Sequence, residues 1–125
     1  MNFYEQEMRM MFGSKKNIKE AKFCGKVMLA KLNDELRVKL QFVEMGYANH
    51  YSAIRMTIIN RKDGELDTIT FRFEDIIGLK AMRSGDKVEP YMWTYNNESW
   101  WYTPVMDAEK KKIADTINGF ISMYQ

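Results

Sequence analysis

Acyl transfer or hydrolysis needs a nucleophile, a base and a group that orients the base, and this chain offers one histidine, His50, and one cysteine, Cys24. His50 falls in a connecting segment, EMGYANHYS, while Cys24 alternates with the apolar positions of its strand and so belongs to the wet side. No spacing joins the two, and both read as ordinary surface or strand-edge residues rather than as a base and a thiolate. Asp63, Glu65 and Asp67 look at first like a metal loop, but the spacing is not that of an EF-hand and Asp63-Gly64 is accounted for by a turn. No GxGxxG, GxxxxGK[ST] or HExxH pattern occurs. The expectation is a protein that is not an enzyme and carries no metal or cofactor.

Two other groups of residues carry binding chemistry. On the polar side of the strands, Lys39, Arg55 and Arg72 are expected to form a basic stripe, with Arg37 and Lys26 close by and Thr57, Thr70 and Tyr51 adding hydrogen bonds. Such a stripe suits phosphates. The alternative is a solvated face whose arginines pair with Glu44 and Glu74 and cover apolar surface with their stems. The second group is the segment YMWTYNNESWWYTP, Tyr91 to Pro104, which holds all three tryptophans and three of the seven tyrosines. Tyr91, Trp93, Tyr95, Trp100, Trp101 and Tyr102 are candidates for docking a partner or for stacking on bases or sugars. Cross-strand aromatic packing in the core is the competing account.

Asn2 and Glu5 have capping-box spacing, and Tyr4, Met8 and Met11 share a helical stripe with Phe12 beside them. A short helix over about residues 2 to 12 follows, stopped at Gly13. From Lys22 the period becomes two. FCGKVMLAKL reads as one strand with Phe23, Gly25, Val27 and Leu29 inward, and ELRVKLQFVEM as a second with Leu36, Val38, Leu40 and Phe42 inward. A two-residue turn at Asn33-Asp34 sets Leu29 opposite Val38 and Val27 opposite Leu40. A second turn at Asp63-Gly64 sets Ile58 opposite Ile69, Met56 opposite Phe71 and Arg55 opposite Arg72, a like-charge pair that calls for an explanation.

EDIIG predicts one helical turn ending at Gly78, followed by a polar loop. The aromatic segment reads as a third hairpin, with Tyr91, Trp93, Tyr95, Trp100 and Tyr102 on one face and Trp101 on the other. Ile113, Ile117, Phe120, Ile121 and Tyr124 form the stripe of a C-terminal helix capped at Asp107. The fold class is α+β: a single antiparallel sheet of about six strands, a four-strand meander plus the aromatic hairpin, with both terminal helices on one face.

At 125 residues, 46% hydrophobic and 29% charged, the chain suits one globular domain spanning residues 1–125. The formal charge of +2 makes any attraction to polyanions a matter of local clustering. One cysteine excludes an internal disulfide and fits a reducing compartment. No signal-peptide core and no membrane-length apolar run occurs. A cytoplasmic protein, monomeric or homodimeric and with no membrane contact, is expected.

The segments FYEQEMRMMFG, AKFCGK, LRVKLQFVEMG, INRKDGELDTITFRFEDIIG and WTYNNESWWY resemble, over nearly the whole chain, a group of small proteins carried on integrative and conjugative elements of gut Gram-positive bacteria. The resemblance implies a setting on a mobile element and transfers no functional residue. With it, the expected function is a non-enzymatic binding or regulatory module acting through protein contact. The alternative is a nucleic-acid-binding accessory protein that uses the basic sheet face.

Overall fold

Asn2 opens the first helix: its Oδ1 accepts from the Glu5 N–H at 2.8 Å, satisfying a donor that the helix itself leaves free. Helix α1 then runs Phe3–Phe12 and buries Met8, Met11 and Phe12, with Glu7 beside them. The computed structural model describes residues 2–44, 46, 50–78, 80–81, 88–89, 91–95 and 102–125.

Strands β1 (Lys19–Cys24), β2 (Val27–Lys31), β3 (Leu36–Glu44), β4 (Tyr51–Asn60) and β5 (Gly64–Arg72) make an antiparallel meander in sequence order. The expected fold class holds, with five strands in the meander rather than four. The additional turn lies at Gly25-Lys26, inside what the sequence presents as one strand. Gly25, at φ 60°, fills the first central position of a two-residue turn that pairs Cys24 with Val27 and Phe23 with Met28. Cross-strand partners share a face, so this turn inverts the expected alternation: Met28 and Ala30 point inward, and Val27 and Leu29 point outward.

The expected β2–β3 register is corrected accordingly. Ala30 lies opposite Val38 and Met28 opposite Leu40. Asn33 Oδ1 accepts from the N–H groups of both Glu35 and Leu36 at 2.9 Å, and Leu32 N–H reaches Leu36 O at 2.9 Å. This Asx geometry closes a four-residue loop, where a two-residue turn was expected.

Between β4 and β5 the faces are as expected and the register is not. Asn60 Oδ1 caps the turn by accepting from Lys62 and Asp63 N–H groups, Gly64 pairs with Asn60 at φ 82°, and a bulge follows Ile58. Met56 therefore meets Ile69, Ile54 meets Phe71, and Arg55 meets Thr70; the expected Arg55–Arg72 pair does not form.

Beyond the meander come a short helix α2 (Phe73–Ile77), two-residue strands β6 (Lys80–Ala81), β7 (Val88–Glu89), β8 (Tyr91–Met92) and β9 (Thr103–Pro104), and helix α3 (Asp107–Ser122). The third hairpin is a correction: β8 and β9 run parallel, with Tyr91 beside Thr103. The backbone of Trp93 is committed elsewhere, donating to Tyr51 O at 2.7 Å and accepting from Tyr51 N–H at 3.3 Å. Asp107 begins α3 instead of capping it; the preceding Met106 N–H donates to Glu109 Oε1 at 2.9 Å.

One core joins these pieces. Met28 and Ala30 from β2, Val38, Leu40 and Phe42 from β3, and Ile54, Met56 and Ile58 from β4 form the inward face of the sheet. Met8, Met11 and Phe12 of α1, Phe73 of α2, and Ile113, Ile117 and Ile121 of α3 complete it. The α3 stripe is as expected in Ile113, Ile117 and Ile121, while Phe120 sits at the rim with its ring 5.0 Å from that of Phe71. The second face of the sheet is the surface on which the basic residues stand.

Candidate functional site

The ladder of the meander assigns each strand residue to a cross-strand row, and three rows define the open face. One runs Cys24, Val27, Gln41, Arg55, Thr70; the next Lys22, Leu29, Lys39, Thr57, Thr68; the third Lys19, Lys31, Arg37, Ile59, Glu65. Five cations thus gather over β1, β2 and β3: Lys19, Lys22, Lys31, Arg37 and Lys39. Neighbouring strands stand about 4.8 Å apart and alternate residues on a strand about 6.6–6.8 Å apart, so the cluster spreads roughly 10 Å in one direction and 7 Å in the other.

Within the third row, Lys19 pairs with Lys31 and Lys31 with Arg37. Like charges directly opposite one another destabilise a strand pair. Lys31 has partial relief from Asp34, 3.4 Å away across the turn. Among the described residues, Lys19, Lys22, Arg37 and Lys39 make no ion pair. Beside them lies a shallow hollow of about 520 Å³ lined by Glu20, Ala21, Lys22, Leu29 and Arg37. Glu20 occupies the bulge of β1 at φ 52°, a left-handed conformation that strains a residue with a Cβ.

Of the five basic candidates, Lys39, Arg37 and Arg55 stand in these rows, and Arg72 stands on the same face in a further row beside Ala53. Arg55 is exposed and its Nε lies 3.4 Å from Thr70 Oγ1. Arg72 pairs with Ala53 and bridges Glu74 at 2.9 Å, as the solvated-face alternative anticipated for that residue. Lys26 leaves the group: from the Gly25-Lys26 turn its ammonium lies 5.2 Å from the Tyr51 ring centroid and 5.9 Å from that of Tyr4. Lys19, Lys22 and Lys31 are the members that sequence reasoning missed. The signal available was Gly25-Lys26 flanked by alternating runs, which as a turn folds β1 back beside β2.

The aromatic candidates separate by burial. Trp93 is 2% exposed and Tyr102 1%, so neither can present a docking surface. Trp93 donates its indole N–H to Glu7 Oε1 at 3.1 Å, Lys110 also donates to that oxygen, and the Lys110 ammonium lies 4.9 Å from the Trp93 ring centroid. The hydroxyls of Thr94 and Tyr102 are bonded at 2.9 Å. Tyr91 is half-buried, whereas Tyr95 is 71% exposed with its N–H donating to the Tyr4 hydroxyl at 3.2 Å. Trp100 and Trp101 lie outside the described residues.

The catalytic candidates stay apart in role. His50 packs edge-on against Tyr102 at 5.6 Å between ring centroids, and Cys24 is exposed at the end of β1 on the open face. Glu65 accepts from the Thr68 hydroxyl at 2.5 Å, and Asp67 accepts from Tyr124, a bond that pushes the Tyr124 hydroxyl above its ordinary pKa. Among the described residues no three His, Cys, Asp or Glu side chains converge on a metal position. No described helix is long and apolar enough to cross a membrane. No family model, curated protein or solved structure matches this chain.

Proposed function

We propose that the chain is a non-enzymatic module that binds nucleic acid through the open face of its sheet. The observation that carries this is the row Lys19, Lys31, Arg37, in which three cations stand side by side across adjacent strands. Such a row is unfavourable in the free protein and becomes favourable when a polyanion lies over it and its counterions are released. Lys22 and Lys39 stand in the adjacent row, and Gln41, Thr57 and Thr68 supply neutral hydrogen-bonding groups on the same face. On a mobile element, the setting implied by the sequence resemblance, such a module would act as an accessory to DNA or RNA handling.

The test is a titration of labelled nucleic acid, single- and double-stranded, at about 50 mM salt, where phosphate contacts are strongest. Binding in the micromolar range that weakens with Arg37→Ala and with Lys39→Ala is expected. Absence of any binding at that salt overturns the proposal.

A second reading, protein contact through the aromatic segment, rests among the described aromatics on Tyr95, which with exposed Met106 flanks a pocket of about 210 Å³ that Phe3 and Lys110 help to line. Its test is covalent capture of a protein partner in cells. Capture unchanged by Tyr95→Ala removes it.

A further inference from the structure

We infer that the nucleic acid held on this face is a duplex, gripped by its phosphates without base stacking and without sequence selection; this rests on the nucleic-acid reading above. Proteins that hold single strands combine a basic track with aromatic platforms on which successive bases stack. The open face has no such platform among the described residues: its rows consist of lysine, arginine, threonine, glutamine and aliphatic side chains, with Cys24 and Glu65 at two of their ends. The described rings lie off these rows. Phe42, Tyr51 and Tyr4 pack edge-on in the inward layer at 4.7–6.0 Å between centroids, and Trp93 and Tyr102 are buried.

The layout of charge points the same way. A single strand offers one file of phosphates, which suits a linear track. The five cations instead fill a patch two residues deep and three strands wide. A duplex presents two phosphate files, with one charge per about 1.7 Å of axis, and can meet such a patch with both. Reading base edges in the major groove calls for an inserted helix or ribbon carrying bidentate side chains. Here the cations rise from the strands of a sheet, four of the five are lysines acting as point charges, and Leu29, 37% exposed in their midst, offers only apolar contact. Contacts of this kind fix the protein on the backbone and carry no sequence information.

The decisive experiment measures anisotropy with an about 20-base-pair mixed-sequence duplex, its two separate strands and a second duplex of unrelated sequence, between about 50 and 200 mM salt. The expected result is a duplex bound at least about fivefold more tightly than either strand, the two duplexes within about twofold of each other, and log Kobs falling with log salt at a slope of about −4 to −5. Arg37→Ala and Lys39→Ala should each reduce the slope by about one and weaken both duplexes equally. Lys112→Ala, on the exposed side of α3, is the control and should change nothing. Single strands bound as tightly as duplex would overturn this inference and leave the nucleic-acid reading standing. Loss of affinity in Lys112→Ala equal to that in Arg37→Ala would place binding off this face and overturn it too. No binding by any probe would overturn both.

Discussion

Trp93 and Glu7, 86 positions apart in the chain, meet in the interior, the indole N–H donating to the carboxylate at 3.1 Å with both residues at least 95% buried. This bond ties the aromatic segment to the first helix, and Lys110 of α3 closes the group by donating to the same oxygen. Phe42 and Phe73 pack on the indole at 5.0 and 5.7 Å. Much of the aromatic richness around Tyr91–Pro104 thus serves to anchor an otherwise weakly paired segment, in which β8 and β9 share only two residue pairs.

Removing the carboxylate should expose that dependence. Glu7→Ala leaves a buried indole N–H and a largely buried ammonium without their acceptor, and a loss of about 2–4 kcal/mol is expected in urea unfolding. Glu7→Gln keeps an acceptor for Trp93 and lacks only the charge opposite Lys110, so its loss should be about half as large. Equal, near-zero effects for the two variants would show that the pair does not hold the segment.

The turn at Gly25 has a separate signature. A Cβ there would meet nothing nearer than Asn2 Nδ2 at 3.8 Å, so a substitution acts through the backbone alone. Gly25→Ala must hold φ near 60° and should lower the unfolding free energy by about 1–2 kcal/mol. Gly25→Asn, whose side chain tolerates that region, should cost less. Thermal melts of the three proteins check the order.

How much of this was legible depended on strand length and on which residues had to find each other. Leu36–Glu44 and Tyr51–Asn60 alternate over nine and ten residues, so Val38, Leu40, Met56 and Ile58 could be assigned inward without ambiguity, and Lys39 and Arg55 outward. Val27–Lys31 has only five residues, apolar on both faces, and there the Gly25 turn decides the parity. Lys19 and Lys22 could not be placed beside Arg37 and Lys39 until that turn was known. The burial of Trp93 was illegible for another reason: its partners Glu7, Tyr51 and Lys110 come from three distant elements, and no local period encodes them.

The face assignment of β2 yields a sharp contrast between neighbours. Met28 is fully buried opposite Leu40, whereas Leu29 is 37% exposed beside Lys39. Met28→Thr should cost about 2–5 kcal/mol through lost apolar burial and an unsatisfied hydroxyl, while Leu29→Thr should stay within about 0.5 kcal/mol of the parent. An uninterrupted strand from Phe23 to Leu32 demands the reverse order. Urea midpoints of the two variants therefore decide between the registers.

Asp115 supplies a pH-dependent test of how α3 is tied to the segment after α1. Hydrogen bonds from Lys15 at 2.7 Å and Lys111 at 3.1 Å hold its carboxyl below the ordinary carboxylate range. A group whose pKa is lowered by folding stabilises the native state at any pH above its unfolded value, about 3.9, and that contribution is lost as pH falls through the lowered folded value. Because Asp115 is half-exposed, the contribution is at most about 1 kcal/mol and should shrink further in about 1 M salt. Asp115→Asn should therefore be less stable than the parent by a constant small amount from about pH 5 to 8, with the gap closing below about pH 4. Lys15→Met should reproduce most of the effect, since Lys15 bridges α3 to a distant segment, whereas Lys111 lies one turn away on the same helix. A gap that widens on acidification would mean that the carboxylate opposes folding, and would remove the Lys15–Asp115 contact as a tie between the two elements.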